Sequence, residues 1–320
     1  MAIICRPMRP KDVAECVAIV AAHAALVDRY GDVLNSLRSV WLSLLGREAF
    51  RAYIYKDVQD SSSRIVGVGC SAIVCSDFLR DVKTPPFFWI GPELTRRVRD
   101  GNSPLLSDKY VREANSNGGV NLVIWEGATH VHYTDRVDLL NSFLGTFIDL
   151  HRGFLLNQVV GNGFTKDTLA AVLRAGYLLV SRTDGRYTDT IDGSIHHVIG
   201  EPHIVGLTRE LAPGRAGTWA SSLFVYQAPR FGFSASEQRL LLAAFLGGTD
   251  EDLADVLGIS LSAVKKAWQS IYERVSACDA ELAPAPHMSE AGAFERGKMK
   301  KQRLIAYLHD HPEELRPASE

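Results

Sequence analysis

Along residues 1–215 apolar positions switch repeatedly between a spacing of three to four and a spacing of two, the periods of helix and strand. KDVAECVAIVAAHAALVDRYG, from Lys11, carries its apolar residues three and four apart and predicts a helix. FRAYIYKDV and RIVGVGCSAIVCSDF then predict two strands joined by a polar turn at Gln59–Ser63. The stretch 80–118, with Pro85–Pro86 and several Gly and Asn residues, reads as a long irregular insertion. VNLVIWEGATHVHY predicts a strand, DRVDLLNSFLGTFIDLHRG a strongly amphipathic helix, and FLLNQVVG another strand. DTLAAVLRAGY and LLVSRTDG continue the alternation, and HHVIGEPHIVGLTRE closes it. Alternation of this sort predicts a mixed α/β sheet domain.

Beyond 215 the pattern changes. LAPGRAGTWA (211–220) and QAPRFGFSAS (227–236) are punctuated by Gly and Pro, so 216–232 reads as a linker. Residues 233–277 then hold only the helical period and predict an all-α module of three short helices. Ser234 or Ser236 caps the first, whose stripe includes Leu240, Leu241, Ala244 and Phe245, and Gly247–Gly248 ends it. Thr249 is placed to cap the second, with Asp250, Glu251 and Asp252 favourable to the helix dipole in its first turn. Gly258 makes a turn and Ser260 caps the third helix, where Val264, Trp268, Ile271 and Val275 form one apolar stripe. The opposite face presents Ser262, Lys265, Lys266 and Gln269, side chains able to reach phosphates or base edges in a major groove. Residues 278–320 read as a linker and a basic helical tail. Its RGKMKKQR run (296–303) holds five basic residues in eight and offers Lys298, Lys300, Lys301 and Arg303 as auxiliary DNA contacts.

Composition changes this picture little. A chain of 320 residues, 46% hydrophobic and 22% charged, is globular and long enough for two domains. Its net charge of −2 does not advertise nucleic-acid binding, so DNA contact has to rest on a local patch. Even within 233–275 acids outnumber Lys plus Arg, six to four. No apolar run is long enough for a membrane span, and the N-terminus is unlike a signal peptide. Five cysteines make no disulfide framework; Cys70 and Cys75 read as buried free thiols, and a reducing cytoplasm is expected. His130 and His132 fall on one strand face, and His196, His197 and His203 cluster later, without predicting a metal site. Gly161 and Gly163 read as a turn after a strand, and Trp89, Trp125 and Tyr133 as core residues rather than a ligand cavity.

Residues 233–275 resemble the LuxR/FixJ-type DNA-binding domain without a gap over three helices. The resemblance rests on Ser234, Glu237, Leu240, Leu241, Gly247, Thr249, Leu253, Ala254, Leu257–Ser260, Val264–Lys266, Ile271, Tyr272 and Val275, with Ala263 and Ala267 departing from the usual Thr and His. It implies a helix-turn-helix whose third helix enters the major groove, Lys265 and Lys266 meeting phosphate or base and Thr249 approaching the backbone. The order of elements in 1–210 resembles the GNAT acetyltransferase fold, ICRPMRPKDVAECVAIV standing for its first strand and helix. Acetyl-CoA binding in that family needs a glycine-rich turn after the fourth strand; GATHVHYTDRVD supplies none, so the expectation is a domain without catalytic residues or cofactor. Acyl-homoserine-lactone and receiver domains do not match.

The expectation from sequence is therefore a cytoplasmic, non-enzymatic transcription regulator. Its partners would be double-stranded DNA and RNA polymerase, with a homodimer among the options and an unidentified small-molecule or protein input. The alternative is an acyltransferase-like enzyme with an attached DNA-targeting module.

Overall fold

A computed structural model describes residues 3–59, 64–134, 136–163, 166–188, 201–283 and 297–318. The chain divides into two units, Met1–Val225 and Tyr226–Glu320. The division falls inside the stretch 216–232: Ala220 and Leu223 are buried in the first core and Phe231 in the second.

The first unit begins β1 (Ile3–Pro7), α1 (Val13–Ala21), α2 (Ala24–Tyr30), α3 (Leu34–Leu44), β2 (Phe50–Asp57), β3 (Ile65–Val74). It continues α4 (Ser76–Lys83), α5 (Ile90–Arg99), α6 (Asp108–Ser116), β4 (Val120–Thr129), α7 (Val137–His151), β5 (Leu156–Gly163). It ends α8 (Lys166–Arg174), β6 (Leu178–Val180), β7 (Tyr187–Thr188), β8 (His203–Thr208), α9 (Trp219–Ser222). One mixed sheet takes the order β1-β2-β3-β4-β5-β8-β6-β7, parallel at β4–β5 and antiparallel at its other junctions.

Two readings of the sequence need correction. The stretch from Lys11 is not one helix: His23 adopts extended backbone (φ −98°, ψ 109°), which separates α1 from α2. The supposed irregular insertion holds α4, α5 and α6. Phe78, Leu79 and Val82, then Ile90 and Leu94, sit at helical spacing and are fully buried. The Pro and Gly residues that disguised these helices lie at their joints, Pro85–Pro86 before α5 and Gly101 after it.

Alternation along β3 separates the two faces of the sheet. Gly67 and Ser71 face α7: a Cβ on Gly67 would fall 2.8 Å from the Phe143 ring, and Ser71 is bonded to His151. Val68 and Cys70 face the other way, into a core that includes Cys16, Leu37, Trp41 and Leu94 of α1, α3 and α5.

The second unit consists of α10 (Ala235–Phe245), α11 (Asp250–Leu257), α12 (Leu261–Cys278) and α13 (Gly297–Asp310). Ser234 and Thr249 each cap a helix reciprocally with the carboxylate three residues on, Glu237 and Asp252. Gly258 takes the left-handed conformation (φ 66°) that ends α11, and Ser260 Oγ accepts from Ala263 N at 3.1 Å to start α12. Val264, Trp268, Ile271 and Val275 are buried as one stripe against Leu240, Leu241 and Leu253, and Leu304, Leu308 and Leu315 join the same core.

One close approach fixes α5 on the sheet. A Cβ on Gly91, in the first turn of α5, would lie 2.6 Å from Tyr30 Oη and 2.8 Å from the Trp125 carbonyl oxygen. Gly91→Ala is therefore expected to destabilise the first unit by about 1–3 kcal/mol, the usual range for overpacking. Denaturant unfolding of the variant checks this, and an unchanged midpoint would contradict the packing.

Candidate active site

The strands β4 and β5 pair only from Val120↔Leu156 to Val123↔Val160. Both run further, β4 to Thr129 along β3 and β5 to Gly163 along β8. Past Val123 and Val160 their facing edges are not paired with each other, and the two strands part toward their C-terminal ends. The local cause is visible in β4, where Cys70 pairs with Glu126 but Ser71 with Ile124. Trp125 is thus an extra residue, and a bulge of this kind bends and twists the strand that carries it.

Glu126 is the first residue after the bulge. It is buried, at 4% exposure, on a strand otherwise apolar at this point. Its Oε2 accepts from Tyr30 Oη at 2.9 Å, and its Oε1 accepts from Gly127 N at 3.0 Å. Burial pushes the carboxyl up to about 7, against the lowering effect of these two hydrogen bonds and of the Arg29 charge. Arg29 lies 4.3 Å from the centre of the Trp89 ring, at the residue that precedes α5. From the other strand, Asn162 Oδ1 accepts from Ile90 N at 2.8 Å. The first turn of α5 is therefore held by β5 at Ile90 and packed on β4 at Gly91. Chemically the arrangement is a carboxyl group able to gain or lose a proton near neutrality, oriented by a phenol and placed where two strands diverge.

On the opposite face Ser71 Oγ lies 2.7 Å from His151 Nε2, and His151 Nδ1 lies 2.7 Å from the Phe147 carbonyl oxygen. A carbonyl only accepts, so Nδ1 carries the proton and, in the neutral ring, Nε2 accepts from the Ser71 hydroxyl. This pair ties the end of α7 to β3 beside the bulge. The start of α7 is dominated by charge. Arg136 Nε donates to Asp138 Oδ1 at 2.7 Å, and Arg136 Nη1 to Asp57 Oδ2 at 3.2 Å. The Arg136 hydrogen bonds lower the Asp138 carboxyl to about 2, and the Leu139 amide bonds the same carboxylate.

The residues expected from sequence to bind DNA lie elsewhere, in the second unit. Ser262, Lys265, Lys266 and Gln269 are exposed on α12, and Gln269 Nε2 donates to Glu273 Oε1 at 2.9 Å. Thr249 Oγ1 accepts from Asp252 N at 3.2 Å and donates to Asp252 Oδ2 at 3.0 Å; Ser260 caps α12. Lys301 Nζ donates to Asp250 Oδ1 at 2.9 Å and sits 5.1 Å from the centre of the Trp268 ring. Lys300 and Arg303 lie on α13, and the side chain of Lys298 lies outside the described residues.

His130 and His132 are not on a strand face, because β4 ends at Thr129 and Val131–Tyr133 forms a 3-10 turn. Their rings are 5.3 Å apart, and among the described residues no group of three or more His, Cys, Asp and Glu could hold a metal ion. His203 is buried in β8, while His196 and His197 lie outside the described residues. Gly161 and Gly163 lie within β5 rather than in a turn; a Cβ on Gly161 would meet Ile124 Cδ1 at 3.1 Å across the parting. Trp125 is buried edge-on to Phe50, and Tyr133 stands in the turn with Arg136 5.3 Å from its ring centre. All five cysteines are free. Among the described residues no helix is long and apolar enough to cross a membrane.

No family model matches the sequence, and no curated protein matches it. Solved structures do. The chain is similar to a histone acetyltransferase HPA2 and related acetyltransferase from Corynebacterium glutamicum, at 12% identity over 64% of this chain and 96% of that one, with a TM-score of 0.38. It is similar to the aminoglycoside acetyltransferase AAC(6')-Ib in complex with coenzyme A, at 12% identity over 67% and 98%, TM-score 0.35. It is similar to NAA60 of Arabidopsis thaliana in complex with a bisubstrate analogue, at 12% identity over 65% and 98%, TM-score 0.37. These structures are acetyltransferases. The expectation of a non-enzymatic, LuxR/FixJ-type transcription regulator is at odds with this finding and is not kept.

The sequence already lacks the glycine-rich turn that would cradle a coenzyme A pyrophosphate, and the structure adds a physical reason against that grip. Asp138 occupies the first turn of α7, holds the Leu139 amide and neutralises Arg136. A pyrophosphate at this helix start would meet a carboxylate instead of free amides. The residues present do not fit the group there.

Glu126 makes stability depend on pH. Its folded carboxyl titrates near 7, above its ordinary value of 4.5, so the folded state holds the proton that the unfolded state gives up. That stabilising contribution is complete below 4.5 and is lost as pH rises through about 7. Between pH 5 and pH 8 the stability of Glu126→Gln should therefore improve relative to the parent by about 3 kcal/mol, whatever its offset at pH 5. Parallel urea titrations at the two pH values read this difference, and a constant gap would mean that Glu126 is ionised throughout.

Proposed function

We propose that the protein is an acyltransferase-like enzyme with an attached DNA-targeting module. The observation that carries the first part is Glu126, a buried carboxyl with a near-neutral titration at the parting of β4 and β5. Acyl transfer to an amine needs a group that removes a proton as nitrogen bonds to the acyl carbon and the leaving group departs. A general base works best with a pKa near the operating pH. Glu126 meets that requirement, Tyr30 holds one of its oxygens in place, and Arg29 favours the charged form once the proton has left. The acyl donor is held without a pyrophosphate grip at the start of α7.

Thiol release from acetyl-pantetheine, and separately from acetyl-CoA, in the presence of primary amines tests this reading. We expect turnover that rises with pH through about 7, with Glu126→Gln slower by about 100-fold or more. The absence of amine-dependent release from either donor sinks the proposal.

For the second part, α12 turns Val264, Trp268, Ile271 and Val275 inward and leaves Ser262, Lys265, Lys266 and Gln269 exposed on its outer face. We propose this face, with Thr249 and Ser260 at the helix starts beside it, as the contact with double-stranded DNA. Two adjacent lysines supply phosphate contacts that release counterions, so Lys265→Ala should lower the slope of log affinity against log salt by about 1. Fluorescence titrations with duplex DNA at several salt concentrations measure the slope, and an equal slope in the variant removes Lys265 from the interface.

A further inference from the structure

A polar chain crosses the same unit at the start of the parallel strands. Lys83, the last residue of α4, donates from Nζ to Gln158 Oε1 on β5 at 3.0 Å. Gln158 Nε2 donates to Asn121 Oδ1 on β4 at 3.3 Å, and Asn121 Nδ2 donates to Ser76 Oγ at 3.2 Å. The chain is polarised: both amides pass their donors toward Ser76 and turn an acceptor toward Lys83. Beside it stands Tyr187 of β7, with its ring centre 5.5 Å from Lys83 Nζ. Tyr187 lies so closely over β8 that a Cβ on Gly206 would fall 2.7 Å from its Oη.

Two facts about this cluster have no explanation among the described residues. The Tyr187 hydroxyl is buried and has no hydrogen-bond partner among the described residues. The Lys83 ammonium is half-buried, and no carboxylate among the described residues lies within ion-pair distance of it. A buried hydroxyl left unpaired and an ammonium partly removed from water each cost free energy. Burial also lowers the Lys83 pKa, as it must where no anion compensates the charge.

We infer that Lys83 and Tyr187 form a binding site for a carboxylate. The cluster presents two remaining N–H donors on Lys83, one O–H donor on Tyr187 and a single positive charge. A carboxylate accepts up to four hydrogen bonds and carries one negative charge, which matches this set. A phosphate dianion would bring a second charge, whereas Lys83 supplies only one. The ligand is a small free carboxylate or the carboxylate end of a peptide. The site lies at the opposite end of the β4–β5 pair from Glu126 and does not depend on the acyl-transfer reading.

Thermal unfolding of the full chain at constant ionic strength tests the inference, with sodium chloride replaced stepwise by sodium acetate or by inorganic phosphate. We expect the melting temperature to rise with the logarithm of acetate concentration and not with phosphate. Lys83→Met and Tyr187→Phe should both lose the acetate response. In chloride alone Tyr187→Phe should be at least as stable as the parent, since the hydroxyl it removes has no partner among the described residues. A dipeptide with a free C-terminus, compared with its amidated form, separates a peptide ligand from a small free acid. No acetate response, an equal response to phosphate, or a response that survives both substitutions would overturn the site. So would a loss of stability in Tyr187→Phe without acetate, which would show that water satisfies the hydroxyl.

Discussion

β4 hydrogen-bonds to β3 along nearly its whole length but to β5 only from Val120 to Val123, and the arrangement around Glu126 follows from that mismatch. A strand cannot satisfy both neighbours once an extra residue, Trp125, enters on one side. Beyond the bulge the edges of β4 and β5 separate, and the structure closes the gap with side chains and a helix end. Ile124 leans on Gly161, Asn162 takes the Ile90 amide, and Gly91 brings α5 against the Trp125 carbonyl. Glu126 is trapped under this cover with a phenol for a partner. Its raised titration is the electrostatic consequence of a backbone irregularity five residues into the strand.

The second unit is built on a different constraint. Its helices are short, so their ends matter as much as their faces, and reciprocal caps at Ser234 and Thr249 with a left-handed Gly258 set where each begins and stops. That arrangement fixes which way α12 faces. The buried stripe from Val264 to Val275 leaves Lys265 and Lys266 outward. Elsewhere in this unit Lys301 pairs with Asp250 and Arg274 with Glu237.

How much of this was legible in the sequence depended on periodicity. Long strands such as VNLVIWEGAT and the caps at Thr249 and Ser260 were plain, because local chemistry decides them. The helices α4, α5 and α6 were not, since Pro85–Pro86 and Gly101 at their joints broke the pattern that Ile90 and Leu94 carry. The break at His23 left no mark in the apolar spacing. Glu126 was the residue most easily missed. Its one signal was a lone carboxylate inside an apolar strand, next to a glycine, and neither the bulge nor Tyr30, 96 positions away, can be read from local sequence. The notion of a domain without catalysis followed from the missing glycine-rich turn. That observation stands at the start of α7, where Asp138 fills the place, but it says nothing about the face of the sheet on which Glu126 lies.

The account turns on whether Glu126 is protonated at mildly acidic pH inside the folded protein. Infrared difference spectroscopy across a pH titration reads this directly through the carbonyl stretch of a protonated, buried carboxylic acid. The account predicts a band that disappears with a midpoint at about 7 and is absent from Glu126→Gln. A Glu126 band that titrates in the ordinary carboxylate range, near 4.5, would contradict it.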